Sequence, residues 1–302
     1  MAKAAQRLLK FMRKIHQIYL DKLLSLVDVG LIKTKHYRVL ADPGNGAASE
    51  VVVELLKQAG CAVVKYNCEM DRLPKRAPEP RAKNLQATAK MVLKHDCDLG
   101  LGLDMDADRA LFIDETGVVL SEDLSGAILG KAEIKTKGEI LVTPFNSSGI
   151  FKAVVDKAGG KVAECRVGPP EITAMIKKTK AVFGYEESGK YFFPRGFIWA
   201  DGLLASLKML QVMAKTNKSL SKIRQSYPVY FQVKLAFDCP FEKMPRRWVG
   251  KGEKQIFGDS WLFIRASGTE PLIRIFSDSP SQKRAKELAQ KGKKMVEELC
   301  AG

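Results

Sequence analysis

Short apolar runs alternate with amphipathic stretches along most of this chain. "YRVLA" (37–41) has the length and character of a buried strand, and "SEVVVELLKQAG" (49–60) carries apolar residues at helical spacing before a glycine stop. "AVVKY" then predicts a strand, residues 84–95 a helix, and "LGLGL" (99–103) another strand. "ALFID" and "VVL", parted by the turn "ETG", predict a hairpin. The layout then repeats. "EILVTPFNSSGIFKAVVDKAGGKVAEC" follows the plan of "YRVLADPGNGAASEVVVELLKQAGCAVVKY", with Pro43 and Asn45 recurring as Pro144 and Asn146. In both copies a strand ends in P-x-N, small residues open a helix, Ala-Gly closes it and a strand follows.

The last segment breaks the pattern. "VYFQVKLAFDCP" (229–240), "SWLFIRA" and "LIRIFS" predict strands, and a long amphipathic helix closes the chain. The fold class expected is therefore α/β, with two related α/β domains in series and a smaller α+β C-terminal domain. The divisions fall at residues 36–134, 135–228 and 229–302. Residues 1–35 hold no strand and read as a helix without its proper partner.

Composition narrows the picture. The 302 residues are 46% hydrophobic and 28% charged, which is a globular composition. The six cysteines are scattered with no C-x-x-C pair, against a disulfide framework or a zinc ribbon and for reduced thiols in a cytoplasmic setting. No apolar run reaches the ~18 residues of a membrane span, so no membrane partner is expected. The basic start lacks serine enrichment and a cleavage site, which favours a surface helix over a transit peptide. A formal charge of +16 raises nucleic acid as a partner, but the lysines are dispersed and no nucleic-acid-binding signature accompanies them. The net positive field suits a phosphorylated small molecule better.

Three stretches carry chemistry. In "LDMDADRALF" (103–112), Asp104, Asp106 and Asp108 emerge at a strand end, where alternate side chains share a side. Three such carboxylates raise one another's pKa values unless a cation sits among them, and all-oxygen ligation points to Mg²⁺. A calcium loop is the alternative by spacing, but Arg109 occupies the position that requires glycine and the flanks are strands. In "VFGYEESGKYFF" (182–193), Gly184 and Gly189 bracket Glu186, Glu187 and Ser188, groups able to grip vicinal sugar hydroxyls. In "IRASGTEPLIRIF" (264–276), Arg265, Ser267, Gly268, Thr269 and Arg274 supply forked charge and close backbone donors, as a phosphate cradle would.

Together and in this order, these stretches resemble the loops of the α-D-phosphohexomutases, the phosphoglucomutase/phosphomannomutase and phosphoglucosamine mutase family. The metal loop D-x-D-x-D-R matches Asp104–Arg109, the sugar loop G-G-E-x-S-G is similar to Gly184–Gly189, and the phosphate loop R-P-S-G-T-E-P to Arg265–Pro271. "PEPRAKNL" and "VGPPEI" are similar to family text as well.

The resemblance implies an enzyme that moves a phosphoryl group between the 1- and 6-positions of a hexose phosphate, with Mg²⁺ on the three aspartates. A phosphoserine donates to the sugar through a bisphosphorylated intermediate. Arg109 would steady the reacting phosphate, Glu186, Ser188 and Lys190 would hold the sugar, and Arg265, Ser267, Gly268, Thr269 and Arg274 would grip the other phosphate. Tyr185 stands where the sugar loop has glycine, and is expected to crowd the sugar; Lys190 and Ala266 replace a histidine and a proline.

The family's T-A-S-H-N-P-like phosphoserine loop is not found in these residues. By the resemblance, residues 1–35 are then a helical remnant of a first domain. A separately encoded first domain, or a second copy of the chain, would meet the apolar face of helix 8–27 (Leu8, Leu9, Met12, Ile15, Tyr19, Leu23, Leu26). The alternative is a non-catalytic binder of phosphosugar and Mg²⁺, a relic or a regulator.

Overall fold

The computed structural model describes residues 14–70 and 72–300. It opens with helix α1 (14–24) and the short α2 (Val29–Lys33). Next come β1 (Arg38–Asp42), α3 (Ser49–Gln58), β2 (Ala62–Lys65), α4 (Gln86–Lys94), β3 (Leu99–Leu103), β4 (Ala110–Asp114) and α5 (Glu122–Glu133). β1 runs parallel to β2 on one side and β3 on the other, and β4 closes the sheet antiparallel to β3. β3 and β4 are buried along their whole length, which explains why both read as continuous apolar runs. The predicted "VVL" strand is reduced to a single bridge between Ile113 and Val119, and the chain enters α5 three residues later at Glu122.

The second round supplies β5 (Ile140–Pro144), α6 (Gly149–Lys157), β6 (Lys161–Cys165), α7 (Pro169–Thr179) and β7 (Phe183–Glu186). β5 lies parallel between β6 and β7, as β1 lies between β2 and β3, so the repeat in sequence is a repeat in topology. β8 (Lys190–Phe192), α8 (Gly202–Thr216) and α9 (Leu220–Gln225) follow. The C-terminal part is a wholly antiparallel sheet in the order β10-β11-β12-β9, built from β9 (Phe231–Asp238), β10 (Glu253–Phe257), β11 (Ser260–Ala266) and β12 (Leu272–Ser279) and backed by α10 (Gln282–Cys300). β10 was not anticipated. "EKQIF" is polar and mostly half-exposed, as an edge strand is, and carries no apolar run.

Chain contacts gather these elements into two compact units, one of residues up to Glu133 with Ser188–Ser226, the other of Ile134–Glu187 with Tyr227 onward. This differs from the linear division. Residues 188–226, expected with the second α/β domain, group with the first because α8 packs on α2, α5 and β4.

Of the apolar face expected on helix 8–27, the described part is divided: its C-terminal end packs into the first unit and its N-terminal end is exposed. Leu8, Leu9 and Met12 lie outside the described residues. The helix ends at residue 24 rather than 27. Leu23 is fully buried, Leu20 nearly so, and the Tyr19 hydroxyl donates to Asp201 Oδ2 at 2.8 Å. Ile15 and Ile18 remain exposed. Among the described residues no helix is long and apolar enough to cross a membrane.

In the second unit a buried carboxyl ties β12 to the start of α6. Asp278 is fully buried; its Oδ1 accepts the Gly149 N–H at 2.9 Å, while Oδ2 has no hydrogen-bond partner. Burial pushes its pKa from 3.8 up to about 6, against the opposing pull of Ser148, Gly149, Lys254 and Lys234. Between those two values the folded protein holds a proton that the unfolded chain has lost. Stability therefore falls as pH rises through the window and stays lower above it, by about 3 kcal/mol for a shift of this size. Asp278→Asn removes the effect. Urea unfolding across pH should show the variant gaining on wild type from 3.8 to about 6 and a constant difference beyond.

Candidate functional site

The acidic run sits where β3 leaves the sheet and before β4 re-enters it. The carboxylates do not converge by strand alternation, as the sequence suggested. Residues 104–109 form a loop, and Ala107 takes a left-handed conformation (φ 59°) that turns the chain sharply. Asp104 is buried, and its Oδ1 closes the loop by accepting the Arg109 N–H at 3.0 Å. One oxygen from each of Asp104, Asp106 and Asp108 lies within 4.8 Å of the others.

The cost of gathering like charges is visible. Burial pushes Asp104 from 3.8 up to about 7, with the charges of Asp108 and Asp106 adding to it. Two cations face the cluster. Arg109 Nε lies 3.4 Å from Asp104 Oδ2 and 3.8 Å from Asp108 Oδ1, and its Nη1 bonds Glu79 Oε1 at 2.5 Å. Lys190 Nζ bonds Asp108 Oδ2 at 2.5 Å. Asp108 Oδ1 is buried without a hydrogen-bond partner. Convergent hard oxygens, one of them unsatisfied, fit a dication such as Mg²⁺.

Several residues the sequence did not single out hold this loop. Arg76 donates to Asp42 Oδ2 at 3.1 Å and to the Leu103 carbonyl at 2.5 Å, just ahead of Asp104. A Cβ at Gly46 would stand 2.5 Å from the Met105 carbonyl oxygen, so only glycine lets this backbone approach the loop. The Gly202 N–H, at the start of α8, donates to the Ala107 carbonyl at 2.9 Å, and Asp201 caps that helix. Signals existed in the P-G-N-G turn and the A-D-G helix start, but both are ordinary turn chemistry until their neighbours are known. Asp106, Asp108, Tyr19, His16 and Trp199 line a cavity of about 410 Å³ beside the loop.

The predicted sugar loop divides between the units. Ser188, Gly189 and Lys190 belong with the acidic loop: the Gly189 carbonyl accepts from the Ala110 N–H at 2.9 Å, and Lys190 bridges Arg109 in antiparallel fashion. Glu186 and Glu187 belong to the second unit, where Asn146 Nδ2 donates to Glu187 at 3.1 Å and Lys234 pairs with it. Tyr185 does not crowd a ligand. Alternation along β7 turns Phe183 and Tyr185 into the core against Phe151, the Tyr185 ring centroid 4.5 Å from that of Phe151 and its side chain fully buried.

The predicted phosphate loop joins β11 to β12 in the same unit. Arg265 and Arg274 stand directly opposite across the antiparallel pair, a destabilising arrangement for like charges. Burial and the charge of Arg274 depress the Arg265 pKa, with Glu186 and Glu187 working the other way. Arg274 is also held by Glu270 at 2.5 Å. The Ser267 hydroxyl accepts from the Glu270 N–H at 3.3 Å and shapes the turn, while Gly268 and Thr269 are exposed at its tip. A Cβ on Gly268 would meet nothing within 4 Å, so the protein's own packing does not demand glycine there.

Sequence profiles of phosphoglucomutase/phosphomannomutase match in series: the alpha/beta/alpha domain II over residues 17–117, the alpha/beta/alpha domain III over 114–230 and the C-terminal domain over 210–293. A phosphoglucomutase/phosphomannomutase from Thermococcus kodakarensis is 33% identical over 300 residues, covering 94% of this chain and 66% of that protein. A phosphoglucosamine/phosphogalactosamine mutase from Sulfurisphaera tokodaii is 32% identical over 304 residues, covering 94% and 67%. The chain thus spans about two thirds of these relatives. A crystal structure of a phosphoglucomutase/phosphomannomutase family protein from Burkholderia thailandensis shares the fold, with a TM-score of 0.82 at 17% identity over 94% of this chain and 64% of that one. The matched domains, in the order and register of the three chemistry-bearing loops, place the chain in the phosphoglucomutase/phosphomannomutase family of α-D-phosphohexomutases.

Proposed function

We propose that this chain carries the metal, sugar and phosphate loops of a phosphohexomutase that interconverts hexose 1-phosphate and hexose 6-phosphate in the cytoplasm. The phosphoserine comes from outside these 302 residues, from a first domain or a second chain. The observation that carries the reading is the convergent carboxylate cluster with the Arg109 guanidinium at its edge. Bound to Asp104, Asp106 and Asp108, Mg²⁺ would draw charge from a departing phosphoryl group.

The chain's own residues do the rest. Arg109 lies against two of the three carboxylates, where its fork can turn to a phosphoryl oxygen. Glu186 and Ser188 accept from and orient sugar hydroxyls. The opposed Arg265 and Arg274, which repel each other as they stand, gain a shared counter-charge in the non-reacting phosphate, with Ser267, Gly268 and Thr269 closing on its oxygens. In the first half-reaction the phosphoserine O–P bond breaks as a P–O bond forms to a sugar hydroxyl, and the proton that hydroxyl loses is balanced by the one the freed serine oxygen takes up. Reversal after the bisphosphate turns over in the site returns the other phosphoryl group to serine.

The test is direct. With Mg²⁺, glucose 1-phosphate and a glucose 1,6-bisphosphate primer, the chain alone shows no turnover; adding a phosphorylated first-domain polypeptide restores it. Robust turnover unaided overturns the external phosphoserine, and failure to bind either Mg²⁺ or hexose phosphate overturns the whole reading. Binding without turnover, even with that polypeptide present, marks a non-catalytic phosphosugar binder instead. Arg265→Ala weakens hexose phosphate binding by about 2 kcal/mol, the scale of a charge-assisted bond, and leaves Mg²⁺ binding unchanged in calorimetry.

A further inference from the structure

The ammonium of Lys190 is paired with one oxygen, Oδ2, of a carboxylate that the metal reading counts among its ligands, while Oδ1 of the same group has no hydrogen-bond partner. The Lys190 Nζ lies 2.5 Å from Asp108 Oδ2, with the lysine side chain only 13% exposed. This is not a long surface chain that happens to reach a carboxylate. The antiparallel bridge between Lys190 and Arg109 fixes its backbone level with the loop, and the bond from the Ala110 N–H to the Gly189 carbonyl locks that register. The left-handed Gly189 (φ 87°) makes the approach possible, since a Cβ there would stand 2.9 Å from Leu111. Arg109, the other cation at the cluster, divides its guanidinium between the aspartates and Glu79. Of the two cations, Lys190 makes the closer pair with Asp108, at 2.5 Å against 3.8 Å.

We infer that Lys190 is a tethered counter-cation of the acidic loop, competing with the divalent ion for Asp108 and released from it when that ion binds. The inference deepens the metal reading of Asp104, Asp106 and Asp108 and rests on it. Without a dication, three carboxylates need positive charge, and Lys190 supplies it from within the fold. With a dication on the same carboxylate, ammonium and metal repel at close range in a partly buried site, where such repulsion is strong. The flexible lysine stem yields more readily than the loop backbone. Once displaced, the ammonium remains attached one residue beyond Ser188 and Gly189, free to donate to an incoming phosphate. Metal binding and substrate charge recognition would then be linked through one side chain.

Calorimetric Mg²⁺ titration of the full chain tests this without any turnover. Lys190→Met removes the competitor and should bind Mg²⁺ about tenfold more tightly than wild type, whereas Lys190→Arg, which keeps the charge, should not tighten it. Lys190→Gln is a second neutral variant of similar length and should behave as Lys190→Met does. Linkage demands a matching effect on stability: in metal-free buffer the neutral variants melt below wild type, and saturating Mg²⁺ narrows the gap. If wild type binds Mg²⁺ and both neutral variants bind it equally or more weakly, Lys190 orients Asp108 rather than competes, and the inference alone fails. If none of the proteins binds Mg²⁺, the metal reading fails with it.

Discussion

Replacing Arg76 with methionine destabilises the protein by about 3–5 kcal/mol, read as a lower urea midpoint at unchanged slope. The side chain is 7% exposed and pairs with Asp42, which is fully buried at the end of β1. Arg76 also donates to the carbonyls of Asp42, Ala77 and Pro78, so its fork is spent on one pocket. The methionine fills much of the volume but leaves the Asp42 carboxylate in the interior, with Thr88, Asn67 and the Gly44 N–H to receive it among the described residues. An uncompensated buried charge, rather than the lost bond, dominates the loss. Adding Asp42→Asn should recover part of the stability, because neither member of the pair is then charged. If the double variant is as unstable as the sum of the single ones, the account by charge is wrong. The same substitution frees the Leu103 carbonyl just ahead of Asp104, so Mg²⁺ affinity should fall as well.

Arg76 shows where the sequence stops being legible. β1, α3, β3 and the repeated β5 and α6 are local patterns, and their periodicity and stop signals can be read in a line. The acidic run Asp104, Asp106 and Asp108 is equally local. What draws those carboxylates together is not: the left-handed turn at Ala107 has no glycine to announce it. The glycines that admit the loop, Gly46 and Gly202, and the buried Asp42–Arg76 pair act across tens of residues, and their immediate surroundings read only as ordinary turn chemistry.

Tyr185 was readable. Its period-two partner Phe183 is apolar and shares its side of β7, which points both rings into the core. The resemblance drew attention to the missing glycine and away from the strand that contains it. The reverse holds for Lys190, whose substitution for a histidine suggested a donor to sugar, while the fold puts its ammonium on Asp108. Helix α1 was legible only in part. An apolar stripe shows that a face is covered, but not whether a partner or the chain itself covers it; Leu23 is covered by the chain itself.

Asp106→Asn should separate metal binding from folding more cleanly than any other change in the loop. Asp106 is exposed, so the substitution creates neither a cavity nor a stranded buried group. One unit of charge removed ~4 Å from a dication, at an effective dielectric of about 20, changes the interaction by several kcal/mol, and Mg²⁺ affinity should fall on the order of a thousandfold. Metal-free stability should move the other way. Burial keeps the Asp104 pKa raised to about 7, and the charges of Asp108 and Asp106 add to that cost. A carboxyl raised in the folded state loses stability as pH rises from 3.8 to about 7 and carries the full loss above that, so removing a neighbouring negative charge returns part of it in alkaline, metal-free buffer. Calorimetry in Mg²⁺ and thermal melting in chelator should therefore shift in opposite directions. A variant that binds Mg²⁺ like wild type removes Asp106 from the ligand set; one that melts well below wild type without metal shows the cluster to be a structural network instead.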